Sequence, residues 1–380
     1  MGVTVSAAAW FRSYLSGRKQ SCMVDGKVSA PLDIPACGVP QGSIGGPILW
    51  LIFTCDQPDV VHEHEVDRYK VDRGCSDHWE QRGQEEEDVG GRGGGCGALV
   101  GYVDDGAYSF AHRDATKMSE VLTYKYRKLE MWMNANRLVI NADKTHLMVM
   151  ASRGNKAREQ VSINAGGYII CPSETEKLLG GILHQSLTWK QHIQGHKSSL
   201  MNQLCSRLNG LKKVCVNASF RTRLMMANGV FMSKLSYLIT LWGGDKQYLV
   251  KAVQVKQLAA ARAVCGMARW RWSRSKLLNR VGWLSIKQLI FCHTVVQVHK
   301  TLQTQKPRTL FHSLSSDYPY RTRRAAAGQI RQDPSFSTLT TFKYRAMMSY
   351  NCVPVNVRQG CISTVKMKLR KWIKCNIPID

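Results

Sequence analysis

The sequence predicts an α+β protein, and two patterns carry that expectation. Up to about residue 185, short runs rich in β-branched and aromatic residues are punctuated by turn signals such as Asp25-Gly26. From residue 189 onward, apolar residues recur at three- and four-residue intervals, the period of helices that bury one face. A chain of 380 residues with 44% hydrophobic content has material for more than one core.

Taken in order, residues 7 to 16 form a short amphipathic helix closed by Gly17, and residues 21 to 37 form a hairpin turning at Asp25-Gly26. A Gly- and Pro-rich loop, "CGVPQGSIGGP" at 37 to 47, runs into an apolar segment at 48 to 55. Residues 57 to 97 are charged, rich in glycine and nearly empty of aliphatic residues, the composition of a solvated, disordered insertion. His62, His64, Cys75, His78 and Cys96 fall in or beside it, but no pair has the short spacing of a zinc knuckle, so they read as exposed loop residues.

Order returns at 98 to 103 and 106 to 111, two strands joined at Asp104-Asp105-Gly106. Asp114 caps a helix whose apolar positions include Met118, Val121, Leu122, Leu129, Trp132 and Met133. A second hairpin, "RLVI" and "HLMVM" around "NADKT", follows, then strands at 160 to 171 and 177 to 183. Thr188 caps a helix with a stripe of Ile193, Leu200, Leu204, Leu208 and Leu211, and further helices fit 219 to 239, 246 to 264, 274 to 281 and 285 to 302. Trp270, Trp272 and Trp283 alternate with basic residues between 263 and 287. That pattern fits both nucleotide stacking beside neutralised phosphates and a buried Trp cluster under a solvated basic face. The basic tail, with "RTRR" and "KMKLRKWIK", adds charge.

Charge narrows the function. Fifty-three Lys and Arg against 27 Asp and Glu leave a net +26, which points to a polyanionic partner, nucleic acid first and an anionic membrane surface second. Thirteen scattered Cys without a CxxC pair suit a reducing compartment. No apolar run is long enough to span a bilayer and no signal peptide opens the chain, so the expected location is intracellular, nuclear or cytoplasmic, with no membrane partner. The opening "MGVTVS" matches a short myristoylation pattern of low specificity.

Within this basic chain, "LVGYVDDGAYSF" sets two adjacent carboxylates, Asp104 and Asp105, at the tip of an apolar hairpin. Two such neighbours repel beside aromatics unless a cation compensates, and Mg²⁺, which favours carboxylates together with substrate phosphates, is the natural one. A pair of such ions serves in-line phosphoryl transfer.

Several motifs together carry a resemblance. "GVPQGS" at 38 to 43, "YVDD" at 102 to 105, Lys144-Thr145 and "LLGGILHQSLTWKQHI" at 178 to 193 stand in the order found in reverse transcriptases of non-LTR (LINE-like) retrotransposons. "WFRSYLSGRKQ" and "GWLSIKQLIFCHTVVQVHK" resemble flanking parts of the same family.

The resemblance implies an RNA-directed DNA polymerase fold: a partial right-hand palm of antiparallel sheet and helices, followed by a helical thumb and a C-terminal helical region. The palm would occupy 1–56, with the Gln-Gly loop, and 98–186, with the hairpin; 187–303 would be thumb and 304–380 the basic C-terminal region. It implies two Mg²⁺ ions bound by Asp104 and Asp105, and Lys144 beside the departing pyrophosphate as a catalytic cation. Tyr102 and Val103 would lie along the primer end, Gln41 and Gly42 beside template and incoming nucleotide, and Leu179, Gly180 and Gly181 in the turn that grips the primer. The implied partners are an RNA template, a DNA primer and deoxynucleotides; oligomeric state is not implied.

Two departures from the family pattern stand out. Gly45 occupies a position where the family has Leu. The family's first catalytic aspartate lies upstream of the "WFRSYLSG" segment, which implies an N-terminally truncated chain with impaired synthesis. The competing readings are a non-catalytic nucleic-acid-binding remnant and a metal-dependent nuclease that would need further ligands.

Overall fold

A computed structural model of the chain describes residues 4–34, 38–39, 42–43, 45–57, 96–102, 105–152, 154–266, 272–314, 330 and 342–379. It is a mixture of helices and short antiparallel hairpins, compatible with the expected α+β class. The chain divides into two compact units, residues 1–147 with 155–172, and residues 148–154 with 173–380.

In the first unit, helix α1 (Val5–Leu15) begins at Thr4, whose hydroxyl accepts the Ala7 amide, and ends before Gly17 at φ +62°. The hairpin then forms as expected. Strands β2 (Met23–Val24) and β3 (Lys27–Val28) meet across Asp25 and Gly26, at φ +48° and +78°, the two left-handed residues that match the twist of paired strands. Strands β1 (Lys19–Gln20) and β4 (Leu32–Asp33) extend it, with an exposed Lys19–Asp33 ion pair at 3.7 Å that contributes little in water. The apolar segment is helix α2 (Gly45–Phe53), started by the Ser43 hydroxyl accepting the Gly46 amide at 3.0 Å.

Strands β5 (Cys96–Tyr102) and β6 (Asp105–Ala111) make the long hairpin of this unit. Helix α3 (Ala115–Ala135) follows, with Asp114 accepting the Thr116 amide at 2.8 Å and the Lys117 amide at 3.4 Å, the cap its position foretold. Leu122, Tyr126 and Trp132 are its buried apolar residues, and the Trp132 indole donates to Asp56 at 3.3 Å. The expected single strand at 160 to 171 resolves into a hairpin, β7 (Ile163–Ala165) and β8 (Tyr168–Ile170), turning at Gly166-Gly167. It is sewn to α3 by Ser162 and Asn164 amides donating to the Ser119 and Thr123 hydroxyls, each at 3.1 Å.

One expected hairpin does not form. Among the described residues, "RLVI" and "HLMVM" do not pair; Asn141 instead accepts the Lys144 amide and tightens Ala142–Lys144 into a 3₁₀ turn, while Leu147 bridges in parallel to Pro172. A polar side chain that satisfies the local backbone competes with a ladder, and here it wins. Most of the charged insertion lies outside the described residues, as do His62, His64, Cys75 and His78 of the metal reading.

The second unit opens with β9 (Thr175–Leu178) and β10 (Gly181–His184), then becomes helical. The helix expected from Thr188 is broken: residues Gln191–Gly195 make one wide turn, and α4 (Leu200–Val214) starts afresh at Ser199. The Asp245 carboxylate takes the Trp189 amide at 2.6 Å, so the chain at 188–190 is fixed by a distant acid rather than by a local cap. The stripe itself is right, since Ile193, Leu200, Leu204, Leu208 and Leu211 are all buried in the main core. The segment 219 to 239 likewise breaks, into α5 (Phe220–Met226), a wide turn, and a stop at Leu238 with φ +55° before α6 (Ile239–Trp242).

Helices α7 (Gln247–Cys265), α8 (Arg274–Val281) and α9 (Ile286–Thr304) match expectation closely. Helix α9 carries a full capping box between Ser285 and Gln288. Trp283 is buried and donates to Asn228 at 2.9 Å, which settles that residue as core, while Lys276 stands 5.3 Å over the half-buried Trp272 ring; Trp270 lies outside the described residues. Short helices α10 (Arg308–Leu314), α11 (Phe342–Asn351) and α12 (Val355–Arg358) lead to α13 (Ile362–Asn376), whose Val365, Leu369 and Ile373 are buried.

Among the described residues no single helix is long and apolar enough to cross a membrane. Helices α8 and α9 would reach the length only as a pair bent by 49°, and both bury much of their apolar surface in the core.

Candidate active site

The carboxylate hairpin is built by register. Tyr102 pairs with Asp105 and Gly101 with Gly106, and the ladder runs without a slip to Cys96 opposite Ala111. Gly106 begins the expected second strand, but Asp105, expected in the turn, belongs to β6 as well, and only residues 103 and 104 separate the paired ends. A two-residue connection suits strand twist, and the facing glycines leave the rung before the last without side chains. A Cβ at Gly101 or Gly106 would meet nothing within 4 Å, so the backbone beside Asp105 is open to close approach. Tyr102 and Asp105 are both exposed there. Val103 and Asp104 lie outside the described residues.

Lys144 sits exposed on its 3₁₀ turn. Gly42 is exposed at φ +82°, a conformation that favours glycine, and Gln41 lies outside the described residues. Among the described residues no three His, Cys, Asp or Glu side chains converge, so those residues do not by themselves fit a metal centre.

Gly180 and Gly181 lie in the second unit, at the β9–β10 turn, where Leu179 and Gly180 have φ +46° and +77°. The Tyr237 hydroxyl donates to the Leu179 carbonyl. A Cβ on Gly180 would touch the Tyr237 ring at 3.4 Å, and one on Gly181 would strike the Leu238 side chain at 2.9 Å. Gly180 is thus favoured by its left-handed backbone, in ordinary contact with the Tyr237 ring, while a side chain at Gly181 would have to displace the end of Leu238.

Cations gather around this turn. The Lys234 ammonium stands 5.4 Å from the Tyr237 ring centre, and burial, then Arg207 and Lys177, push its pKa down. His192, 2% exposed, accepts the Ile182 amide on Nδ1 at 3.2 Å. Burial and then Lys234 lower its pKa to about 4, so the ring is neutral at pH 7. No local pattern pointed to Tyr237 as the partner of Leu179 or to Asp245 as the partner of Trp189, because each acts from more than fifty residues away along the chain. An aromatic two residues before a helix restart is the nearest thing to one.

Comparison with known proteins gives this arrangement its context. The chain is 25% identical over 259 residues, 68% of its length, to the RNA-directed DNA polymerase from mobile element jockey of Drosophila funebris. It is 25% identical over 269 residues to the jockey polymerase of Drosophila melanogaster, covering 71% of this chain. To the probable RNA-directed DNA polymerase from transposon BS of Drosophila melanogaster it is 24% identical over 256 residues, 67% of this chain. The matches cover 25%, 26% and 25% of those relatives, so the chain spans about a quarter of their length. No family model matches the chain, and no solved structure is significantly similar to it. By these relatives and by its own ordered motifs, the chain is similar to the RNA-directed DNA polymerases of non-LTR retrotransposons.

Proposed function

We propose that this chain is part of an RNA-directed DNA polymerase that adds deoxynucleotides to a DNA primer 3′-OH on an RNA template, in an assembly where 98–186 serves as palm and the helices after 187 as thumb. The observation that carries the reading is the β5–β6 register: Tyr102 paired with Asp105 leaves Asp104 in the two-residue connection, beside a glycine pair that leaves room for substrate. In this reading Asp104 and Asp105 hold Mg²⁺, which supplies charge neutralisation for phosphoryl transfer. Lys144 supports the leaving pyrophosphate, Tyr102 and Val103 border the primer end, and Gln41 and Gly42 border the template. Leu179, Gly180 and Gly181 form the primer-holding turn, stiffened by Tyr237. The net charge of +26 supports a nucleic-acid partner.

The test is template-dependent synthesis: a DNA primer annealed to RNA, deoxynucleotides, and Mg²⁺ either present or chelated. The reading expects extension that needs both the template and the ion. Extension that persists in chelator would overturn the metal assignment.

A further inference from the structure

A cavity of about 280 Å³ in the second unit lies between the segment at the end of β10 and the start of α7, lined by His184, Ser186, Thr188, Lys190, Lys246, Tyr248 and the acid Asp245 among others. Its walls are far apart in sequence and one side chain joins them. The Asp245 carboxylate accepts the Trp189 amide at 2.6 Å with one oxygen and the Lys246 amide at 2.6 Å with the other. That brace fixes the backbone next to Lys190 and at Lys246, so two lysines from different segments line one cavity and outnumber the single carboxylate, whose two oxygens are each held by a backbone amide. Among the described residues no ion pair joins Asp245 to either lysine.

The opposite rim is a small polar network. The Ser186 hydroxyl lies 2.6 Å from His184 Nδ1 and 3.2 Å from the Thr188 hydroxyl, and the Ser186 amide donates to the same Nδ1 at 3.1 Å. With Nδ1 accepting, the ring proton of His184 is on Nε2, where it can donate. Lys246 is the N-cap of α7, a helix of 19 residues, and Tyr248 lies in its first turn, so the helix's positive dipole end is at the cavity. Two ammonium groups, an imidazole N–H, the Thr188 hydroxyl and a helix start form a donor set for a phosphoryl oxygen, while the Ser186 hydroxyl is used on His184 Nδ1.

We propose that this cavity is a phosphate-binding subsite that seats one backbone phosphodiester of the bound nucleic acid. Half-exposed Tyr248 offers a ring face beside it for the adjoining sugar or base. The inference rests on the nucleic-acid reading above, and it adds a named contact to it.

The experiment is the salt dependence of affinity for a fluorescent single-stranded RNA, comparing the full chain with Lys190→Gln/Lys246→Gln and with Lys371→Gln/Lys374→Gln on α13 as a charge-matched control. Loss of the one seated phosphate lowers the log–log salt slope by about 0.7. The proposal expects that drop in the cavity pair and not in the control. An unchanged slope in the cavity pair, or an equal drop in both, overturns it. Should the unmodified chain bind no RNA, the functional reading fails separately, and the ³¹P resonance of the dinucleotide dTpdT judges the cavity alone. Broadening by the unmodified chain that the cavity pair abolishes supports the subsite; no broadening, or equal broadening, removes it.

Discussion

The phenol hydroxyl of Tyr237 donates to the carbonyl of Leu179, tying the β9–β10 turn to the residues just before α6. Leu179 is an unfavourable residue for its place: at φ +46° its Cβ crowds the backbone, and the residue is 43% exposed. Replacing it with Asn creates the Asn-Gly pair that such turns favour and relieves about 1 kcal/mol of strain. Leu179→Asn is therefore expected to raise the denaturation midpoint, and Tyr237→Phe to lower it by about 1 kcal/mol through the lost hydrogen bond. Urea titrations followed by tryptophan fluorescence check both signs.

Gly180→Ala is the converse case. It places a Cβ at φ +77° and against the Tyr237 ring, so it should destabilise by about 1–2 kcal/mol, more than Tyr237→Phe. The same titration decides the order of the two.

His192 gives the fold a pH dependence with a definite sign. Its folded pKa, about 4, is below the usual 6.5 because burial, then Lys234, oppose the charged form. The unfolded chain binds the proton first, so the contribution is full above pH 6.5 and is lost as pH falls toward 4. Linkage sets its size at about 3 kcal/mol. Stability measured from pH 7 to 4 should fall less steeply in His192→Gln than in the unmodified chain.

Cys361, exposed before α13, is held at a pKa of about 6 by the Ser363 hydroxyl, then by the Thr364 hydroxyl and amide. It should be mostly thiolate at pH 7. Iodoacetamide labelling read by mass spectrometry should show its alkylation rising around pH 6, and a midpoint above 8 would contradict the hydrogen-bond account.

Local chemistry made much of the fold legible. The Asp114 cap, the Asp25-Gly26 turn, the leucine stripe after 193 and the helices α7 to α9 each follow from residues close together in the chain. What local pattern could not show was competition from afar. Thr188 looks like a cap, yet Asp245 sets the backbone there; "RLVI" looks like a strand, yet Asn141 closes a turn on its own backbone. At the site, "YVDD" marked the hairpin, but the place of Asp105 depended on register, which facing glycines and a two-residue connection decide. The bracing of the "LLGG" turn by Tyr237 joins residues 58 apart and was beyond any local signal.

The central claim is that the hairpin tip does polymerase chemistry, and single-deoxynucleotide addition to a DNA primer on an RNA template tests it most directly. The account predicts Mg²⁺-dependent addition by the unmodified chain that Asp104→Asn abolishes and Lys144→Ala slows, with RNA affinity kept in both. Addition that Asp104→Asn leaves unchanged, or none by the unmodified chain, would contradict it.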